Sequence, residues 1–383
     1  MRPHHGRAAA YHLLLVVLAV FGCDPLRLDA ADGFPQFTWE RVPLYAHVGI
    51  GDGLKNEQYE FLADRFPIVT FTGGVTRSSV EATIAAAAKT IKERRPGTKV
   101  LFYWSADMPK HQWAHSIATY PADGYLSAKK NGKDSLQFDV RRADVREWWA
   151  GVAGKAVREY GCDGIFVDGL TAGVKNGPWS AMFGAKQAAE MDRSVFEMIQ
   201  RTRETMGPDA IIVFNPLHGF DAKRERLGEE YLPVTDGAMV DDFDRGAKIV
   251  RQSPEYLANT IETMRKAAQS GKIVIFKGWP QFTWRTDPEF MKRPHEEQHR
   301  LASEQILFPL ACFLVGAEKH CYFCYTWGWN PEHGTFDWYP EFDKKLGEPR
   351  GPATREGWTY RREFAHASVF VDLEAKKATI DWK

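Results

Sequence analysis

Eight strand-length apolar runs recur along the chain, and their number and spacing restrict the fold more than any other feature. They are VPLYAHVGI (42–50), PIVTFTGG (67–74), KVLFYWS (99–105), CDGIFVDG (162–169), AIIVFNP (210–216), GAMVDDF (237–243), KIVIFKGW (272–279) and HCYFCYTW (320–327). Each is rich in β-branched and aromatic residues and is continuous rather than alternating. Such runs suit parallel strands covered on both faces. Helical stretches lie between them at 77–95, 142–160, 184–206, 254–270 and 295–317. Gly97, Gly161, Gly207 and Gly271 follow helices closely, as stop signals do. Repeated β–α alternation of this kind predicts an α/β fold, the (β/α)8 TIM barrel. An open doubly wound sheet fits less well. GIGDG (49–53) has the glycines of a dinucleotide-binding turn without the G-x-G-x-x-G spacing.

The ends of the chain read differently. MRPHHGR is basic, and LLLVVLAVF (13–21) is apolar but short for a membrane span. Residues 1–31 therefore read as an export leader. Two processing sites fit: a lipoprotein cleavage before Cys23, which would tether the chain to a membrane, or ordinary cleavage near LDAAD (28–32). Either way the expected location is outside the cytoplasm, in the periplasm or cell envelope. Residues 32–356 are expected to form the barrel. Residues 357–383, ending in ASVFVDLEAKKATIDW (367–382), should form a β-hairpin packed on it. The segment 105–141 is a long insert after the third strand, and long connections in compact domains are usually functional.

Lys+Arg and Asp+Glu balance at 50 each, which removes the electrostatic case for nucleic acid. The 13 tryptophans suit a cleft that stacks on sugar rings, although many must also serve the core. CYFC (321–324) has zinc-like spacing, but no second pair completes four ligands. In a strand its two cysteines face opposite ways, so buried thiols are expected there.

Barrel enzymes carry their sites at the C-terminal ends of the strands. Two runs end there in the same pattern, DGIFVD (163–168) and DGAMVD (236–241). Asp168 and Asp241 thus come to the rims of the fourth and sixth strands, facing one cleft. Asp163 and Asp236, at the other end, read as turn residues feeding the strand. Paired carboxylates beside aromatic platforms are the equipment of glycoside hydrolysis. One protonates the leaving oxygen while the other attacks the anomeric carbon or activates water. Further candidates on the rim are His47 and Asn215 for hydroxyl contacts, Asp242 and Lys277, and Trp104, Trp279 and Trp327 as sugar platforms. The register leaves Asp241 and Asp242 in competition for the second catalytic position.

The strand-end aspartate pair resembles glycoside hydrolases of the α-galactosidase clan and of family 31. The tail GWTYRREFAHASVFVDLEAKKATIDW (357–382) is similar to the close of bacterial glycoside hydrolase barrels, in particular hypothetical glycosyl hydrolase family 15. That resemblance spans roughly residues 40–383. It implies an oligo- or polysaccharide substrate, no cofactor and no metal, with Asp168 as nucleophile and Asp241 as acid/base. Many such barrels carry Glu at the position of Asp241. Two other functions fit the same fold: a non-catalytic carbohydrate-binding barrel and a metal-dependent hydrolase. For the latter, HEEQH (295–299) matches a zinc-protease motif, but it starts a polar helix just after Pro294 and no third ligand is evident. His47 lacks the H-x-H partner of a barrel metal site, because position 45 is Tyr. The oligomeric state has no signature in the sequence.

Overall fold

All eight runs become strands, and all eight pair in parallel. In chain order the strands are β1 (Ala46–Gly49), β2 (Ile68–Thr72), β3 (Lys99–Ser105), β4 (Tyr125–Lys130), β5 (Lys133–Phe138), β6 (Gly164–Asp168), β7 (Ile211–Asn215), β8 (Gly237–Val240), β9 (Ile273–Gly278), β10 (Cys321–Tyr325), β11 (Thr354–Glu356), β12 (Thr359–Glu363), β13 (Ala367–Asp372) and β14 (Lys377–Trp382). The barrel sheet runs β1-β2-β3-β6-β7-β8-β9-β10. A parallel bridge between Leu44 and Phe323 joins its two edges. There Tyr45 N–H donates to the Phe323 carbonyl (2.9 Å) and Phe323 N–H to the Pro43 carbonyl (2.8 Å). The computed structural model describes residues 33–383 except 74–78, 110–115, 117, 131, 175–176, 219–226 and 245–251. The expected leader, with Cys23, lies outside the described residues.

Two apolar layers follow from the strand period of two. Ile68, Leu101, Phe166, Val213, Met239, Ile275 and Tyr322 fill the barrel interior. Their neighbours in sequence, such as Phe71, Phe102, Val167, Phe214 and Phe276, pack outward under the helices. Phe34 and Phe37 pack onto the interior cluster, and the Tyr322 hydroxyl donates to the Pro35 carbonyl (3.1 Å). The segment before β1 therefore closes the N-terminal end of the barrel.

The repeated D-G-x-x-x-D motif has a structural half. Asp163 Oδ2 accepts from Val100 N–H of β3 (2.7 Å), and its Oδ1 accepts from Lys92 (2.6 Å). Asp236 does the same two strands further round the ring. Its Oδ2 accepts from Ile212 N–H of β7 (2.7 Å) and from Arg203. Each aspartate clamps the start of the preceding strand to the end of the preceding helix. The following glycines are needed for space. A Cβ on Gly164 would lie 1.9 Å from the Ile211 carbonyl oxygen, and one on Gly237 would lie 2.3 Å from that of Ile273.

Two expectations change. The helix over 295–317 is two helices, His295–Gln305 and Leu307–Gly316. Pro309 has no N–H to give the Gln305 carbonyl, which interrupts the ladder. The C-terminal hairpin exists as β13–β14, but it belongs to a four-stranded antiparallel sheet, β11-β12-β13-β14, that begins at Thr354. In β12 buried Tyr360 and Arg362 alternate with exposed Arg361 and Glu363. A buried arginine hides the apolar alternation that marks a strand. Arg362 donates from beneath the sheet to the Leu314 carbonyl (3.0 Å) and to that of Ala317, which pins the sheet to the helix Leu307–Gly316. Within the insert, β4 and β5 form a hairpin.

Replacing Asp163 with Ala leaves the Val100 N–H and the Lys92 ammonium without their acceptor. We expect a loss of about 1–3 kcal/mol, measured by denaturant unfolding, with the candidate site at the opposite end of the barrel undisturbed.

Candidate active site

The parity that fills the barrel with apolar side chains also decides what reaches its mouth. Positions in register with the interior layer end in His47 on β1, Tyr103 on β3, Asp168 on β6, Asn215 on β7, Asp241 just past β8 and Lys277 on β9. Asp168 lies opposite Asn215 on one side and Ser105 on the other. Met239 points inward, so Asp241 does too, while Val240 packs outward. This separates Asp241 from Asp242. Asp242 follows on the outer parity, and its carbonyl accepts from the Tyr256 hydroxyl (3.2 Å).

The two inward carboxyls have unlike surroundings. Asp168 Oδ2 accepts from the Tyr103 hydroxyl, and Oδ1 accepts from the Asn215 amide (3.1 Å). Tyr103 is held far above its ordinary pKa, first by burial and then by the charge of Asp168, so it remains a donor. Both oxygens of Asp168 thus accept a hydrogen bond. Asp241 is the reverse. Its Oδ1 is shut off from solvent and has no hydrogen-bond partner. Burial raises its pKa well above the carboxylate range. The charges of Asp242 and Asp168 add to this, while Lys277 and the Asn215 amide oppose it.

Lys277 is fully buried, and its ammonium donates to the carbonyl and the hydroxyl of Thr326, each at 2.5 Å. It also sits 4.2 Å from the centroid of the Trp279 ring and 5.1 Å from that of Trp329. Burial lowers its pKa, and Asp241 acts against that shift. His47 is pushed down to about 3, first by burial and then by the charge of Lys277, so it is neutral. Its Nδ1 shares a hydrogen bond with the Tyr45 hydroxyl (3.1 Å).

The structure brings His47, Asn215 and Lys277 together with the two aspartates and leaves Asp242 next to them on the outer parity. The three tryptophans expected as platforms fare differently. Trp104 is fully buried on the outward side of β3 and donates to the Trp149 carbonyl (3.2 Å). Trp327 is also fully buried, packed against Phe282 (5.4 Å) and His295 (5.5 Å). Neither offers a face to a sugar, because both stand on the helix-facing parity. Trp279 reaches the mouth but is 4% exposed. Its indole N–H donates to the Asp241 carbonyl (2.7 Å), which makes it a brace for the end of β8.

The aromatic that does open to the mouth is Trp329, partly exposed and 4.6 Å from the His47 ring. Parity offers no signal for it, since it follows the end of β10 in a loop. Its place comes from Gly49, whose N–H donates to the Trp329 carbonyl (2.5 Å). The motif HEEQH forms a tie instead of standing alone. His295 Nε2 lies 2.7 Å from Asp337 Oδ1, and His299 Nδ1 lies 3.1 Å from Oδ2. These spacings join the helix to the loop after β10. Among the described residues no group of three or more His, Cys, Asp or Glu is arranged to hold a metal ion. The cysteines at 162, 312, 321 and 324 are free and buried.

Residues 92–368 match hypothetical glycosyl hydrolase family 15. The chain belongs to that family. A variant of the glycoside hydrolase domain of PelA from Pseudomonas aeruginosa is similar over 77% of this chain and 96% of that one, at 14% identity and a TM-score of 0.50. The maltogenic α-amylase AmyB from Thermotoga neapolitana is similar over 87% of this chain and 86% of that one, at 12% identity and a TM-score of 0.48. At such identities the likeness is one of fold. No functionally curated protein matches the sequence.

The state of Asp241 has a cost for folding. Its folded pKa is raised, so at neutral pH the unfolded chain ionises it and the folded chain does not. Folding is penalised increasingly as pH rises above the ordinary carboxylate value, until the folded form also ionises. Asp241→Asn removes that penalty. Its melting temperature should exceed that of the unmodified chain by about 2 °C or more at pH 7, and the gap should shrink at pH 4.

Proposed function

We propose that this member of the family is an exported glycoside hydrolase that uses Asp168 and Asp241 as its carboxylate pair on an oligo- or polysaccharide. The observation that carries this reading is their inequality. One carboxylate holds two donors, and the other is buried with an unpartnered oxygen. Glycoside hydrolysis needs two carboxyls in unlike settings, one to attack and one to carry a proton.

In this scheme Asp241 gives its proton to the leaving glycosidic oxygen. Asp168, pre-aligned by Tyr103 and Asn215, attacks the anomeric carbon as positive charge develops there. Water then releases the sugar, with Asp241 taking the proton back. Asp242 keeps the proton on Asp241 through its negative charge, and Lys277 makes the opposite state accessible when the proton has gone. His47, neutral and fixed by Tyr45, is placed to contact a sugar hydroxyl, as is Asn215. The leader over 1–31 supports export.

Asp168→Asn should abolish turnover on every glycoside tested. Asp241→Asn should lower kcat/KM by about 10²–10⁴-fold on natural linkages. It should retain far more activity on aryl glycosides whose leaving group needs no proton, such as dinitrophenyl glycosides. The fall of kcat/KM on the alkaline side of the pH profile should disappear in the same variant. Full activity in either variant on both substrate types would end the paired-aspartate scheme.

For export, mass spectrometry of the mature N-terminus from fractionated cells should find Cys23 diacylated or a cut near 28–32. An intact Met1 on a cytoplasmic protein would refute it.

A further inference from the structure

Of the tryptophans among the described residues, one is exposed: Trp284, at 41%. It lies in the connection after β9, the second occurrence of PQFTW in the chain (280–284). The loop that carries this indole is anchored through its backbone, and the ring itself packs beside one imidazole. The Trp284 backbone N–H donates to the Trp327 carbonyl (2.9 Å). The preceding residue, Thr283, is fully buried, and its backbone N–H donates to Asp287 Oδ2 (3.0 Å). The indole itself stacks on His333 with centroids 6.2 Å apart and an interplanar angle of 11°.

The stack depends on Gly328. A Cβ there would lie 2.2 Å from His333 Nδ1 and 2.6 Å from Trp284 Cδ1. Gly328 is also the residue before Trp329, the indole that opens beside His47 at the mouth. Two partly or fully exposed tryptophans thus flank a single glycine. Trp329 packs beside His47, and Trp284 reaches the same glycine from the loop after β9. Trp284 lies parallel to the His333 imidazole and offset from it, and much of its ring surface stays open to solvent. An exposed aromatic face on a loop whose backbone is already anchored suits stacking on the C–H face of a pyranose, because little backbone entropy remains to be lost on binding.

We propose that Trp329 and Trp284 are successive sugar-stacking platforms, and that Trp284 holds a sugar unit beyond the one being cleaved. The substrate is then a chain of several sugars rather than a small glycoside. This inference rests on the proposed glycoside hydrolase function.

The test uses the full chain carrying Asp168→Asn, so that bound glycans persist, on an immobilised panel of mono- to octasaccharides. Affinity should rise with chain length. Adding Trp284→Ala should remove that rise, weakening the longer glycans about tenfold, while mono- and disaccharides bind as before. Trp284→Phe should restore most of the gain, which separates loss of the platform from loss of folding. In a parallel experiment N-bromosuccinimide should oxidise Trp284 early, and a bound long glycan should protect it, as read by peptide mass spectrometry.

Equal binding by the Ala variant at every length would overturn the inference, as would a parent chain that binds no glycan. So would a sedimentation mass that falls from dimer to monomer with Trp284→Ala, since the indole would then be serving a second copy of the chain. The underlying function fails separately. If aryl glycosides are hydrolysed by the unmodified chain and not by Asp168→Asn, the proposed function stands whatever Trp284 does.

Discussion

A ring of parallel strands gives each side chain one of two destinations, the barrel interior or the layer under the helices, and the choice alternates with every residue. The site depends on this constraint. Because Phe166 and Met239 fill the interior, Asp168 and Asp241, two residues further on, must enter the space above them. The same alternation sends Val240 outward and with it removes Asp242 from the inner layer. It also takes Trp104 away from any sugar, since Tyr103 holds the inward position on β3 and hydrogen-bonds Asp168. A slip of one residue in any of these strands would exchange the apolar and the candidate catalytic sets together.

The two D-G-x-x-x-D motifs join stability to chemistry within six residues. The first aspartate clamps a neighbouring strand and helix at the closed end of the barrel. The glycine admits the next strand, and the three apolar residues span the core. The last aspartate emerges at the mouth. The closed end is packed by Phe34 and Phe37, and its aspartates are fully engaged in ion pairs and backbone contacts. At the open end Asp241 keeps an oxygen without a partner. Stability and function are thus separated along the strand axis, and the carboxyl that is costly to bury is the one suited to carry a proton.

Much of this was legible beforehand. Eight continuous apolar runs required a two-sided parallel sheet, and their alternation with helices required the barrel. The paired motifs pointed to Asp168 and Asp241, and strand-end placement pointed to His47, Asn215 and Lys277. The misreadings have one cause. Trp104 and Trp327 were assigned by residue type, and type does not carry parity. β12 was hidden because Arg362 occupies a buried position that a pattern of apolar residues cannot reveal, and β11 because all three of its residues are exposed.

The sequence by itself determined the number and order of the elements, the carboxylate-rich rim and the glycines on which close strand contacts rely, because these follow from local pattern and from the steric room each residue needs. Only the tertiary structure decided which of two adjacent aspartates faces the cleft and how differently the two catalytic candidates are hydrogen-bonded. It also decided which tryptophans meet solvent. Trp329 shows the reason. Its place is set by a hydrogen bond to Gly49, 280 residues earlier in the chain, and contacts across that separation exist only once the ring of strands has closed.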